Sequence, residues 1–161
     1  MPNHLTNLGI FHTVVSILAI IFGIVALVRA GRIDPRNATG KWYVVLTIIT
    51  CLTSFGIMKT GHFTPAHGLG VLVLVLLVIG VYARRIFPKR GEGLEIIALS
   101  ATLFFSFIPA ITETLTRLPI ADPIAAGPDA AVVKMSLLAL TVVFVLGLIY
   151  QFNRLRKNRR V

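Results

Sequence analysis

Between residues 8 and 28 the chain carries no Asp, Glu, Lys or Arg, and Arg29 and Arg32 then close the run. So long an apolar stretch has few ways to fold. About 20 residues in a helix match the roughly 30 Å hydrocarbon core of a bilayer, and a helix bonds its own backbone polar groups there. The pattern recurs. Residues 42–58 are opened by Lys41 and the pair Trp42-Tyr43 and closed by Lys59. Residues 66–83 end at Tyr82, Arg84 and Arg85, residues 94–115 contain Pro109, and residues 131–150 end at Tyr150. A proline is tolerated in such a helix when neighbours satisfy the freed carbonyl. The expected fold is all-α: five transmembrane helices forming one membrane domain over residues 1–161.

Composition agrees with this reading. Hydrophobic residues make up 56% and charged residues 14%, against about 25% charged in a typical water-soluble domain. Mean hydropathy is +0.87. The first run does not read as a signal peptide, since no basic stretch precedes it, it is too long, and a basic stop follows. Cys51 is the single cysteine, which excludes an internal disulfide and a Cys-based zinc site.

The net charge of +10 would suit nucleic acid, but its placement points to lipid headgroups. With five spans, thirteen of the sixteen Lys and Arg residues fall on one side: Arg29, Arg32, Arg36 and Lys41, then Arg84, Arg85, Lys89 and Arg90, then Arg154, Arg156, Lys157, Arg159 and Arg160. Lys59, Arg117 and Lys134 remain for the other side. By the positive-inside rule the N-terminus is expected outside and the C-terminus in the cytoplasm. The polybasic tail at Arg154, Arg156, Lys157, Arg159 and Arg160 is expected to hold anionic lipid at about 1 kcal/mol per base. The longest connection, residues 116–130, is rich in Pro and Ala and reads as an ordered, turn-rich cap.

Helical spacing selects the inward faces. Gly9, His12, Ser16, Ala19, Gly23, Ala26 and Ala30 recur at steps of three and four, a stripe of small residues that lets membrane helices approach closely. Thr47, Thr50, Ser54 and Gly61, with Cys51 beside them, form a similar stripe in the second run, and Glu95, Ala98, Thr102, Ser106, Pro109, Glu113 and Thr116 one in the fourth. The third run shows no polar stripe. These stripes also read simply as packing seams, with hydroxyls bonded to carbonyls one turn back.

The outer side gathers the histidines. His12 lies about one turn inside the first run, His62 and His67 flank the start of the third, and Glu113 closes the fourth. Ionisable groups in membrane spans point to function by default, and neutral imidazole is the commonest metal ligand. His12 and His67 are candidates for a bis-His pair on haem b iron. With Glu113, and with His62 nearby, they are equally candidates for a two-His, one-carboxylate divalent-metal site. The plainer reading has Glu113 paired with Arg117 at i,i+4 and the histidines as caps or interfacial polar groups. No H-E-x-x-H, C-x-x-C-H, P-loop or G-x-S-x-G pattern is present.

His12, the run Ala19…Gly23…Ala26-Leu27, the Gly31-Arg32 turn and Gly40-Lys41-Trp42-Tyr43-Val44-Val45 together resemble an uncharacterised bacterial family of small multi-pass membrane proteins, over roughly residues 12–80. Members of that family often carry a His-Arg pair in the turn, where this chain has Asp34-Pro35-Arg36-Asn37. The resemblance implies a membrane bundle in a bacterial inner (plasma) membrane and no particular activity. The expected function is therefore a non-enzymatic structural or complex-forming subunit, packing against itself or within a larger membrane complex, with lipid rather than nucleic acid as partner. The alternative is a haem- or metal-binding electron-transfer protein. A solute carrier is weaker, because the inner stripes lack charged midplane residues.

Overall fold

The computed structural model describes residues 6–57 and 64–158. They form five helices: α1 (Asn7–Ala30), α2 (Ala38–Phe55), α3 (Pro65–Ile86), α4 (Gly91–Arg117) and α5 (Ala131–Asn158). All five are long and apolar enough to cross a membrane, and no strand occurs among the described residues. The expected second span is shifted. Helix α2 begins four residues earlier than residue 42, because Asn37 caps it by accepting from Gly40 N–H at 2.8 Å, and it ends at Phe55 before Gly56. Helix α5 continues past Tyr150, so Arg154, Arg156 and Lys157 lie on helix rather than on a loose tail.

The helix ends follow from local chemistry. Thr6 caps α1 by accepting from Gly9 N–H at 3.1 Å. Gly31 ends it in the left-handed region at φ 70°, where its N–H bonds the Leu27 carbonyl, a conformation that costs other residues dearly. Gly40 sits hard against the Asp34 carbonyl, so a side chain there would strike backbone. The tight turn between α1 and α2 thus depends on both glycines. Residues 116–130 are indeed ordered by turns: Ala125 N–H donates to the Leu115 carbonyl at 2.9 Å and Ile124 N–H to the Leu118 carbonyl at 3.2 Å.

Neighbouring helices run antiparallel. Helices α1 and α2 form one hairpin and α3 and α4 a second, joined where α2 meets α3; α4 also touches α1 and carries α5 on its far side. The pairings fix the register: Ser54 beside Gly70, Gly80 beneath Leu99, Ser100 against Gln151, and Phe104 on Phe144 at 4.7 Å between centroids. The main core gathers Ala26, Ile33, Tyr43, Leu99 and Leu103, and a smaller one Val15, Ala19 and Leu46. Tyr43 is fully buried, and its hydroxyl meets Thr102 Oγ1 at 2.7 Å. Thr102 already donates to the Leu99 carbonyl, so the tyrosine donates and the threonine accepts.

The small-residue stripe of α1 is a packing face. Gly9, Ala19, Gly23 and Ala26 are buried, while Ser16 is half-buried and turns its hydroxyl back to Thr13. A Cβ at Gly23 would lie 2.8 Å from Leu103 and 3.0 Å from Tyr43, which is why α1, α2 and α4 meet there. The stripe of α4 behaves differently along its length. Glu95, Ala98 and Thr102 are buried, but Pro109 and Glu113 are exposed. Helix α3 supplies a face that its uniform Leu/Val run concealed: His67, Gly70, Val73, Leu77, Gly80 and Ala83 are buried. The opposite helix faces are open and apolar, with Ile17, Leu52, Val78 and Leu138 all exposed.

Candidate functional site

Ionisable side chains concentrate at the two ends of the bundle, and the two ends are built differently. At the end holding the start of α1, His12 reaches across to α2, with Nδ1 2.9 Å from Thr53 Oγ1. The Thr53 hydroxyl also donates to the Ile49 carbonyl at 2.8 Å, so the imidazole Nδ1–H is the donor to it. His67 is buried but serves its own helix. Its Nδ1 accepts from Thr64 N–H at 2.9 Å, closing the first turn of α3, and its ring stacks on Phe55 at 6.0 Å. Glu113 pairs with Arg117 one turn on and is 54% exposed. His62 lies outside the described residues, with Lys59 and Gly61.

The three described candidates therefore engage three different partners. Helices α1 and α3 make no close approach to each other, being separated by α2. Among the described residues no group of three His, Cys, Asp or Glu is placed to share a metal ion. The local partners of His67 and Glu113 are those of the plainer reading, a cap and an i,i+4 pair.

The other end holds a six-membered ion cluster. Arg32 and Arg36 come from the α1–α2 turn, Arg84 from the last turn of α3, and Glu92 and Glu95 from the start of α4. The Glu95 side chain is fully buried and uses both oxygens: Oε1 accepts from Arg36 Nη2 at 2.8 Å, and Oε2 from Arg84 Nε at 3.0 Å. Glu92 Oε1 accepts from Arg84 Nη2 at 2.9 Å and from Arg32 Nη1 at 2.5 Å. Asp34 completes the ring by accepting from Arg36 Nε at 2.8 Å and from the Arg36 backbone N–H at 2.9 Å, with Arg32 at 3.4 Å. Burial pushes the Asp34 carboxyl up, but its hydrogen bonds to Arg36 and the charges of Arg36 and Arg32 outweigh that and leave it below its ordinary value of 3.8. Its partner Arg36 is raised, chiefly by the same hydrogen bond.

Three arginines face three carboxylates, so the cluster is neutral. Each Glu95 oxygen accepts from a different arginine. Such an arrangement binds protein to protein. A carboxylate with no exposure between two guanidinium forks fixes the relative position of the α1–α2 turn, α3 and α4.

Arg154 is a second departure from the sequence expectation. Its guanidinium rests on Gly31, at the C-terminal end of α1, and lies 3.5 Å from the Tyr150 hydroxyl. A cation there meets the negative end of the α1 dipole, so this residue of the basic segment contacts protein as well as surroundings. Arg156 and Lys157 are exposed; Arg159 and Arg160 lie outside the described residues. Comparison with protein-family models, with curated proteins and with solved structures finds no match.

Sequence reasoning read Arg32, Arg36 and Arg84 only as topology markers and missed the cluster. The available signal was Glu92-Gly93-Leu94-Glu95 at the head of an apolar run. Two carboxylates one turn apart in that setting demand cationic partners, and the basic turns were the nearest supply.

Proposed function

We propose that the chain is a multi-pass protein of a bacterial inner (plasma) membrane that acts as a non-enzymatic structural or complex-forming subunit, with its N-terminus outside and its C-terminus in the cytoplasm. One observation carries this reading. Only 6% of the apolar window of α5 is buried, against 22% to 39% in the other four helices. A 28-residue helix with its apolar sides uncovered suits lipid on one face and another helix on the other. The saturated ion cluster fits the same role, since it holds a scaffold rigid and offers no reactive group. The orientation rests on the thirteen-to-three division of basic residues.

Cross-linking in membranes tests it. In a Cys51→Ala background, single cysteines replace Leu138 or Val142 on one exposed side of α5, or Val132 or Val143 on another. Cross-links on one face only, to a second copy or to a co-purifying subunit, are the expected outcome. Absence of cross-links at all four positions, together with a monomeric mass in nanodiscs, overturns the assembly reading. A reporter fused after Val161 tests orientation separately: external activity overturns it.

A further inference from the structure

Two open grooves meet on the basic end of α5. The larger, about 610 Å³, runs between the turn that follows α3, the first turns of α4 and the last turns of α5. Its floor is apolar, with Leu94, Ile97 and Phe152, and its rim carries Lys89, Arg90 and Arg156. The smaller, about 370 Å³, lies on the other side of Phe152, lined by Leu148 and Ile149, and shares Arg156 with the first. Phe152 stands between them as a divider. It is seated against Gly93, where an added Cβ would lie 3.3 Å from its ring, so the glycine gives the ring its place.

The rim charges contrast with the cluster beside them. Arg32, Arg36 and Arg84 are each matched by carboxylates. Lys89, Arg90 and Arg156 have no carboxylate partner among the described residues. Three unmatched cations above two apolar furrows, one on each side of an aromatic ring, call for an anion that carries two hydrocarbon chains.

We propose that the paired grooves bind one anionic glycerophospholipid, its phosphate held by Lys89, Arg90 and Arg156 and its two acyl chains lying on either side of Phe152. The proposal rests on the membrane reading above, and narrows a diffuse attraction of the basic segment for lipid to one built position. A partner helix fits less well, because Phe152 interrupts the furrow that a helix would need to be continuous.

The test uses the full chain in detergent, titrated with dioleoyl phosphatidylglycerol or dioleoyl phosphatidylcholine and read by native mass spectrometry. One phosphatidylglycerol per chain is expected to persist at activation energies that strip phosphatidylcholine. At about 1 kcal/mol per base near an anionic surface, each charge removed weakens binding about fivefold. Lys89→Gln, Arg90→Gln and Arg156→Gln together then weaken it on the order of a hundredfold. An equal-charge control, Arg29→Gln with Lys41→Gln and Arg85→Gln, replaces exposed cations of the same end away from the grooves and is expected to change binding by less than about twofold. Both variants are checked to melt like the parent. Equal retention of the two lipids, or equal loss in the control, overturns the site. So does equal competition by inorganic phosphate, which would mean a headgroup contact without chains, or a lipid-free dimer that covers the grooves. Vesicle flotation separates the two levels of failure. A chain that floats with phosphatidylcholine vesicles but shows no preference fails the lipid site alone; one that does not float fails the membrane reading and the site with it.

Discussion

The two ends of the bundle hold similar raw materials and use them in opposite ways. At the basic end, charged side chains from three parts of the chain interlock, with Arg32 and Glu92 sixty residues apart and Arg36 and Glu95 fifty-nine. At the other end, Glu113 pairs within its own helix and His67 bonds the turn that precedes it; the His12 contact with Thr53 is the exception. Long-range pairing fixes helices relative to one another, whereas local pairing only shapes each helix. Among the described residues, ion pairing between helices is therefore concentrated at the basic end.

This difference is sharpest at the two glutamates. Replacing Glu95 by Gln leaves Arg36 and Arg84 facing a buried neutral amide. Loss of one partner of a buried ion pair typically costs about 3–5 kcal/mol; with the arginines 49% and 31% exposed, about 3 kcal/mol is expected. Glu113→Gln removes a surface i,i+4 pair worth about 0.3–0.5 kcal/mol. Thermal melts in one detergent compare them directly, and equal losses would erase the distinction between the ends.

Next in size is Gly23→Leu, in the seam that joins α1 to Tyr43 and Leu103. Overpacking costs about 1–3 kcal/mol, while Ile24→Leu, one residue on and exposed, is expected to be neutral within about 0.5 kcal/mol. If the two melt alike, the small-residue stripe is not a seam. Thr53→Ala probes the cross-helix contact of His12 at the far end. It should cost about 1 kcal/mol, well below Glu95→Gln, and the same loss should appear in His12→Ala with no further loss in the double variant beyond a few tenths.

Acid gives the gentlest comparison. The Asp34 carboxyl sits below its ordinary value in the folded chain, so its contribution is fully present above pH 3.8 and is lost as the pH falls below that value. Stability measured from pH 7 down to 3 is expected to fall in the acid range by up to about 1 kcal/mol more in the parent than in Asp34→Asn. Identical acid limbs would detach Asp34 from the cluster.

The sequence was a good guide wherever the signal was a matter of length or periodicity. Five apolar runs became five helices, and Gly9, Ala19, Gly23 and Ala26 fell on the buried side because step-three-and-four spacing places them together whatever the neighbours. It was a poor guide to α3, where a run of Leu and Val hides a buried Gly70, Gly80 and Ala83 face: both sides of such a helix look alike until something packs on one. It misled at Pro109 and Glu113, whose spacing continues the buried stripe of α4 although both side chains are exposed. The ion cluster lay beyond periodicity altogether, because pairing between residues sixty apart depends on which helices become neighbours.

The composition of that cluster has a consequence for how the chain comes together. The α1–α2 hairpin contributes two arginines and Asp34, a surplus of one positive charge; the α3–α4 hairpin contributes Arg84 and two glutamates, a surplus of one negative charge. Within the cluster, neither hairpin balances its own charges. Each is half of a matched key, and the match is made only when both have arrived and lie in the right register. A half-made or wrongly paired bundle keeps an unmatched charge within a cluster that the finished one leaves neutral.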